Sequence, residues 1–407
     1  MNGPELACEI AGSDAPGRWD VLRPLGRRAE RLTPWFYEAR FGRPVRLRQA
    51  YLRTLRWLSA APSLPWDPSP RSGALERIET DVLVVGGGGS GIRAATQLVT
   101  HGRDVVVLER GRSTIPPGEP RVTVRTSTTC LGLYPDEGIA AAVGPAGPIE
   151  IRSERLVVAT GAYDAWLLFE GNDLPGIVGL RAFEHYAAQG AFPHGRRVGV
   201  FAAPAEAERA LVAAESSGVE LAWLAGPAEL PSTGTPSHPG TRIARAEGRG
   251  RVTALELEGL GRLACDVLVI GFTQPTYELQ AHAGIPLAVR GVPPRIVVTG
   301  SVDGVSVVGE AGIEPVDVPA PSVSHPDAFV CPCEDVRVRD VEEAVRDGFG
   351  GIELVKRRTG ASTGPCQGRL CLAPLVRLVT DLGSSQALPT ARPPIVPVEL
   401  ASLAADG

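Results

Sequence analysis

Residues 80–110 read TDVLVVGGGGSGIRAATQLVTHGRDVVVLER. An apolar, β-branched run (Val82–Val85) meets a glycine turn, then a stretch of helical periodicity, then a second apolar run ending at Glu109. The glycines fall as Gly86-x-Gly88-x-x-Gly91, directly after the strand and at the helix start. Each answers a separate physical demand. Gly86 permits the tight turn, Gly88 lets backbone approach a pyrophosphate, and Gly91 lets helix pack on strand. The free N–H groups of the first helical turn, including those of Gly89 and Ser90, face the phosphates with a partial positive charge. Glu109, followed by Arg110, ends the second strand where a carboxylate accepts from adenosine ribose hydroxyls. An acid there disfavours a 2′-phosphate, so NADP is not expected. The competing reading is a glycine-rich turn kept only as scaffold.

Working outward, LVVATGAYD (156–164) is an apolar strand ending in Ala-Thr-Gly, a pattern that crosses back beside the cofactor in two-domain flavoproteins, and it makes Thr160 and Gly161 candidates. VVTG (297–300) and VSVVGEAG (305–312) read as strands returning to the same sheet, adding Gly309 and Glu310. A second strand–helix–strand unit runs from RRVGVFA (196–202) through AEAERALVAAESSG (205–218) to VELAWL. Its turn, Ala202-Ala203-Pro204-Ala205-Glu206, has no glycine, loses one donor at Pro204 and places acids where a phosphate would sit. That unit is expected to be structural, which argues against NAD(P)H bound in a second domain. Two such units, one nested in the other, predict an α/β architecture with two parallel-sheet domains. The boundaries expected are 1–73 for a preface and linker, 74–165 with 290–325 for the dinucleotide domain, and 166–289 for the second, degenerate domain. A small helical domain at 326–382 and a tail at 383–407 complete the chain.

The last domain holds Cys331-Pro-Cys333 and Cys366-Gln-Gly-Arg-Leu-Cys371, four of the seven cysteines in two close pairs. Four thiolates complete either a zinc site or an iron–sulfur cluster. The spacing within each pair departs from the knuckles usual in structural zinc sites and favours [2Fe–2S] over zinc or a vacant site. A helix predicted to begin near Gln367 would turn its N-terminal amides toward Cys366. Cys8, Cys130 and Cys265 stand alone and read as small core residues. The six histidines are scattered, and no catalytic residue is assigned.

Composition sets the outer limits. A chain of 407 residues exceeds one core and fits two or three domains. Hydrophobic residues at 43% with 21% charged give the balance of a folded protein. A net charge of −5 argues against a nucleic-acid partner. No apolar stretch approaches the ~20 residues of a membrane span, and MNGPELACEIAGSDAPGRWD carries no leader pattern. The expected setting is cytoplasmic and reducing, where clustered cysteines hold metal more often than they pair.

The chain resembles the alpha-type subunits of heterooligomeric amine and amino-acid oxidases and dehydrogenases. That group includes the alpha chain of sarcosine oxidase, the A-type chain of opine oxidase and the B-type chain of hydrogen cyanide synthase. The resemblance rests on TPWFYEARFGRP (33–44), VVGGGGSG, LVVATGAYD, GNDLPGIVG (171–179) and CDVLVIGFTQP (265–275). It is most specific at CPCEDV and GPCQGRLC, which resemble a bacterioferritin-associated-ferredoxin type of [2Fe–2S] domain. It implies a glutathione-reductase-like fold with two dinucleotide domains, and Cys331, Cys333, Cys366 and Cys371 as cluster ligands. It also implies FAD or another adenine nucleotide such as NAD, an FMN at an interface between subunits, and, as partner, a beta-type FAD-containing oxidase subunit. A further electron acceptor and a small ferredoxin-like subunit complete the implied partners.

Three departures qualify it. Only GRSTIPPGEP (111–120) separates Glu109 from the next strand, so the glycine pair and helix that help hold a flavin are missing from that stretch. The family's N-terminal ferredoxin-like extension and its folate-binding C-terminal domain are not expected here. The function implied is relay of electrons from oxidation of an amine, amino acid or opine by the partner. The alternatives are a self-sufficient FAD-dependent amine oxidoreductase, with Tyr163 or Tyr277 as substrate anchors, and a non-catalytic nucleotide-binding scaffold.

Overall fold

A computed structural model describes residues 73–111, 120–190, 196–312, 318–384, 387–398 and 403. The stretch TPWFYEARFGRP, Cys8 and most of GRSTIPPGEP lie outside the described residues.

The first sheet is built around β1 (Glu76–Val85), followed by helix α1 (Gly89–Thr100), β2 (Val105–Leu108), β3 (Val122–Arg125), β4 (Thr129–Tyr134), β5 (Ile139–Gly144) and β6 (Gly147–Val158). The spatial order is β3-β2-β1-β6-β5-β4, with β1, β2, β3 and β6 parallel and β4 and β5 added as an antiparallel meander. The strand alternation explains why VLVV and VVVL carry no polar residue. Val82, Val84, Val105 and Val107 face α1, while Leu83, Val85, Val106 and Leu108 face a core with Cys130, Leu133, Ile149 and Ile151. A parallel strand covered on both sides must be apolar throughout.

β7 (Ala162–Asp164) leads into a second sheet through β8 (Ile177–Gly179), α2 (Leu180–Ala188), β9 (Val198–Ala202), α3 (Pro204–Ser217), β10 (Leu221–Ala225) and β11 (Ser237–His238). A three-stranded meander follows: β12 (Ile243–Gly248), β13 (Val252–Leu257) and β14 (Gly261–Ala264). β15 (Val267–Gly271) then enters the sheet, giving the all-parallel order β11-β10-β9-β15-β8. β16 (Thr273–Pro275) pairs antiparallel with β7, so two crossing straps join the sheets.

After α4 (Glu278–His282), β17 (Leu287–Arg290) and β18 (Arg295–Val298) form a hairpin, and β19 (Val305–Val307) pairs parallel with β6. Of the two returning strands expected in the first sheet, only the 305–307 stretch enters it. The earlier one is held elsewhere because the buried Gln274 amide accepts from Ile296 N–H (3.0 Å) and donates to Ile296 O (3.0 Å).

The C-terminal module opens with a short hairpin, β20 (Phe329–Cys331) and β21 (Val336–Arg337), before α5 (Val338–Arg346), α6 (Ile352–Thr359) and α7 (Leu372–Asp381). Asp340 starts α5 by accepting from Arg337 N–H at 2.8 Å. Val330, Val341, Val355, Leu375 and Val379 close a core that also takes in Tyr277, Ile296, Cys331 and Cys371. The helix expected near Gln367 begins instead at Leu372, with Cys371 as its N-cap. Among the described residues no helix is long and apolar enough to cross a membrane.

Candidate cofactor sites

The glycine turn has the geometry its spacing predicts. Gly86 sits at φ +109°, where a Cβ would run into the Ala159 carbonyl, and a Cβ on Gly91 would strike the Gly86 carbonyl. Around Gly88, the N-cap of α1, nothing lies within 4 Å of where a Cβ would be, and no acid or side-chain cap occupies the first turn. Two of the glycines are thus filled against the protein and one opens onto space beside unclaimed N–H groups, which is what a pyrophosphate needs. Glu109 is aimed by two backbone donors, Gly87 N–H and Gly111 N–H, each at 2.7 Å. Arg110 is exposed beside it.

The other predicted residues meet at the same end of the sheet. Thr160 and Thr276 share a hydroxyl–hydroxyl bond of 2.6 Å, and Thr276 N–H donates to Gly161 O at 3.0 Å. A Cβ on Gly309 would press on Ser90, so the end of β19 lies against the start of α1. Glu310 is engaged by Arg209 (3.3 Å) and Arg181 (3.5 Å). These pairs link the segment after β19 to α2 and α3.

The turn between β9 and α3 is closed, as its sequence predicts. Ala202 and Ala203 are buried, Pro204 is the first helical residue, and Glu206 accepts from the Thr273 hydroxyl at 3.0 Å. The first turn of α3 thus carries an acid of the chain's own, where that of α1 carries none.

Late in the chain the two cysteine pairs converge. The Cys331 thiol contacts those of Cys333 and Cys371, and the Cys366 thiol contacts the same two, closing a ring of four sulfurs. Cys331, Cys366 and Cys371 are buried and Cys333 is half-buried. Hydrogen bonds from Cys333 and Cys371, reinforced by backbone N–H groups, hold Cys331 and Cys366 well below the ordinary thiol range. Donation to their neighbours, together with burial, pushes Cys333 and Cys371 up. The amides of Ser362 and Glu334 serve Cys331, and those of Leu370 and Gly368 serve Cys366. The amides near Cys366 thus come from a loop rather than from the helix expected there.

That loop is strained in a consistent way. Four non-glycine residues among those described have positive φ, and three of them, Asp335, Ser362 and Gln367, flank the sulfurs. Each left-handed residue costs about 1–3 kcal/mol and persists only where its surroundings demand it. Gly364 has no room for a side chain, since a Cβ would run into Cys333 and lie 2.8 Å from Glu334 Oε1. Amides turned toward sulfur, buried thiols and strained connections fit a sulfur-bridged cluster. Among the described residues no group of three or more His, Cys, Asp or Glu side chains is placed to hold a metal ion. Cys130 and Cys265, by contrast, are isolated in the core, where burial pushes both thiols up to about 12.

Several contributors were invisible in sequence. Asn172, in GNDLPG, is buried and clamps Phe329 by accepting its N–H (2.9 Å) and donating to its carbonyl (2.9 Å). The Trp166 indole donates to the same carbonyl at 2.6 Å. Together they fix the strand that carries Cys331. Tyr163 and Tyr277, the substrate anchors that a self-sufficient oxidoreductase would use, both lie beside Glu278, and the Tyr163 ring also faces Arg369. Tyr163 donates to Glu278 Oε1 at 3.1 Å, and Arg369, from the loop between Cys366 and Cys371, pairs with that oxygen at 2.9 Å.

Residues 79–223 match the FAD binding domain family and residues 325–407 the sarcosine oxidase A3 domain family. The alpha chain of sarcosine oxidase from Rhizobium meliloti (strain 1021) is 24% identical over 488 residues, spanning 95% of this chain and 49% of that protein. The A-type chain of opine oxidase from Agrobacterium tumefaciens (strain Ach5) is 34% identical over 90 residues, 20% of this chain and 17% of that one. The chain therefore spans about half the length or less of these curated relatives. The solved L-proline dehydrogenase from P. horikoshii superposes with a TM-score of 0.64 at 22% identity, covering 81% of this chain and 80% of that one, a likeness of fold. The two-sheet dinucleotide fold and these matches make the chain similar to the alpha chain of sarcosine oxidase along most of its length and to the A-type chain of opine oxidase over a shorter stretch.

Proposed function

We propose that the chain is the electron-relay subunit of an FAD-dependent oxidoreductase complex that oxidises an amine, amino acid or opine. The observation that carries the proposal is the ring of four sulfurs supplied with backbone donors, in the same chain as an open glycine turn. In this reading Cys331, Cys333, Cys366 and Cys371 hold a [2Fe–2S] cluster. Gly86, Gly88, Gly89, Ser90, Gly91 and Glu109 hold the adenosine and pyrophosphate of FAD, with Thr160 and Gly161 alongside. A flavin supplies two-electron chemistry and a cluster of this type one-electron transfer.

The chain's own part is then to bind, orient and shield. The amides at the start of α1 neutralise phosphate charge, Glu109 orients the ribose, and the buried loop around the cysteines keeps water from the thiolates. Amine oxidation belongs to a beta-type FAD-containing subunit, with an FMN held at the interface and a small ferredoxin-like subunit or other acceptor receiving electrons. The test is anaerobic addition of amine substrate to the chain alone and to the chain co-purified with its beta-type partner. The reading predicts bleaching of iron–sulfur absorbance only in the complex. Turnover by the isolated chain would contradict it.

A further inference from the structure

We infer that Arg369 and Glu278, with Tyr163 and Tyr277, form a buried charged junction that joins the nucleotide end of the first sheet to the four-sulfur centre and sets the reduction potential of the group bound there. The inference rests on the iron–sulfur reading of the four cysteines.

The path between the sites is short and continuous. Thr160 hydrogen-bonds Thr276 at the end of the first sheet, and Thr276, Tyr277 and Glu278 are consecutive. Glu278 accepts from both Tyr163 and Arg369 on one oxygen, while its other oxygen accepts from Tyr277 N–H at 3.1 Å. The Arg369 guanidinium lies 5.4 Å from the centre of the Tyr163 ring. The side chains of this ion pair are only 19% and 13% exposed, so solvent screens it poorly.

Arg369 belongs to the loop between Cys366 and Cys371, and Tyr277 packs in the same buried core as Cys331 and Cys371. Arg369 Nη2, Tyr277 Oη and Ser362 Oγ are buried with no hydrogen-bond partner among the described residues. Buried donors without acceptors are costly. All three come from segments around the sulfurs, and an iron–sulfur group is rich in sulfur acceptors. A buried cation beside such a group favours its reduced, more negative state, and the Glu278 carboxylate opposes this.

The opposed signs supply the test. The full chain is purified anaerobically as wild type, Arg369→Gln, Arg369→Lys and Glu278→Gln. Each is assayed for iron and acid-labile sulfide, then titrated by spectroelectrochemistry. Wild type without iron and sulfide would defeat the iron–sulfur reading itself, independently of the junction. With the cluster present, R369Q should lower the reduced-to-oxidised ratio at fixed potential about tenfold, ~59 mV for a one-electron couple. R369K should recover most of that loss, and E278Q should shift the midpoint the opposite way. If R369Q loses its cluster, E278Q decides alone: a positive shift supports the junction. An unchanged midpoint in E278Q, or in cluster-loaded R369Q, overturns it.

Discussion

The two strand–helix–strand units, β1–α1–β2 and β9–α3–β10, share one topology and part company at a single turn. At the N-cap one has Gly88 and the other Ala203; at the first helical residue, Gly89 and Pro204; at the third, Gly91 and Glu206. In the first unit backbone packs on backbone and the helix end stays open. In the second, side chains fill the space and Glu206 answers the helix charge from within, bonded to Thr273. One fold thus yields a ligand site or a plain structural joint, according to whether the turn keeps its Cβ atoms out of the way.

That contrast can be broken by substitution. Gly91→Val should have the largest effect, because its side chain meets the Gly86 carbonyl; a loss of about 3 kcal/mol in urea unfolding is expected. Gly88→Val should do the reverse and leave unfolding near wild type, since nothing lies within 4 Å of its Cβ. It should weaken nucleotide binding at least tenfold, about 1.4 kcal/mol, in isothermal titration. Glu206→Ala should cost about 1 kcal/mol through the lost Thr273 bond and leave bound nucleotide per chain unchanged. A nucleotide loss in that variant would place a ligand at the second turn and erase the contrast.

The smallest effect concerns the isolated cysteines, the counterparts of the grouped four. Burial raises Cys130 and Cys265 from the ordinary 9.0 to about 12. A raised folded-state pKa contributes stability that is fully present below 9.0 and is lost as pH rises toward 12. These two thiols should therefore leave the melting temperature flat from pH 6 to about 8.5, with a decline only above it. Cys130→Ala and Cys265→Ala should flatten the alkaline decline.

Much of the fold was legible because parallel strands buried on both faces must be continuously apolar, as Val82–Val85, Val198–Ala202 and Val267–Gly271 are. The glycine turn was legible because its demands fall on backbone, and Glu109 because it follows at a fixed place in the unit. The cysteine pairs were readable as a group from their clustering alone. What sequence could not reveal depends on contacts between distant segments. Arg369 meets Glu278 across 91 positions, and Asn172 grips Phe329 across 157. Gln367 misled for a local reason: its left-handed φ of 55° breaks the helix that its neighbours suggest. The sulfur-facing amides then come from turns, a geometry with no periodic signature. Glu310 follows a strand, and its partners Arg181 and Arg209 lie in another sheet's helices.

The most direct measurement is the iron and acid-labile sulfide content of the full chain purified without oxygen, together with its visible spectrum. Equal amounts of iron and sulfide, about two of each per chain, are expected, with the absorbance of a [2Fe–2S] centre that disappears in Cys366→Ser. Stoichiometric zinc without sulfide, or reduced cysteines carrying neither metal, would contradict it.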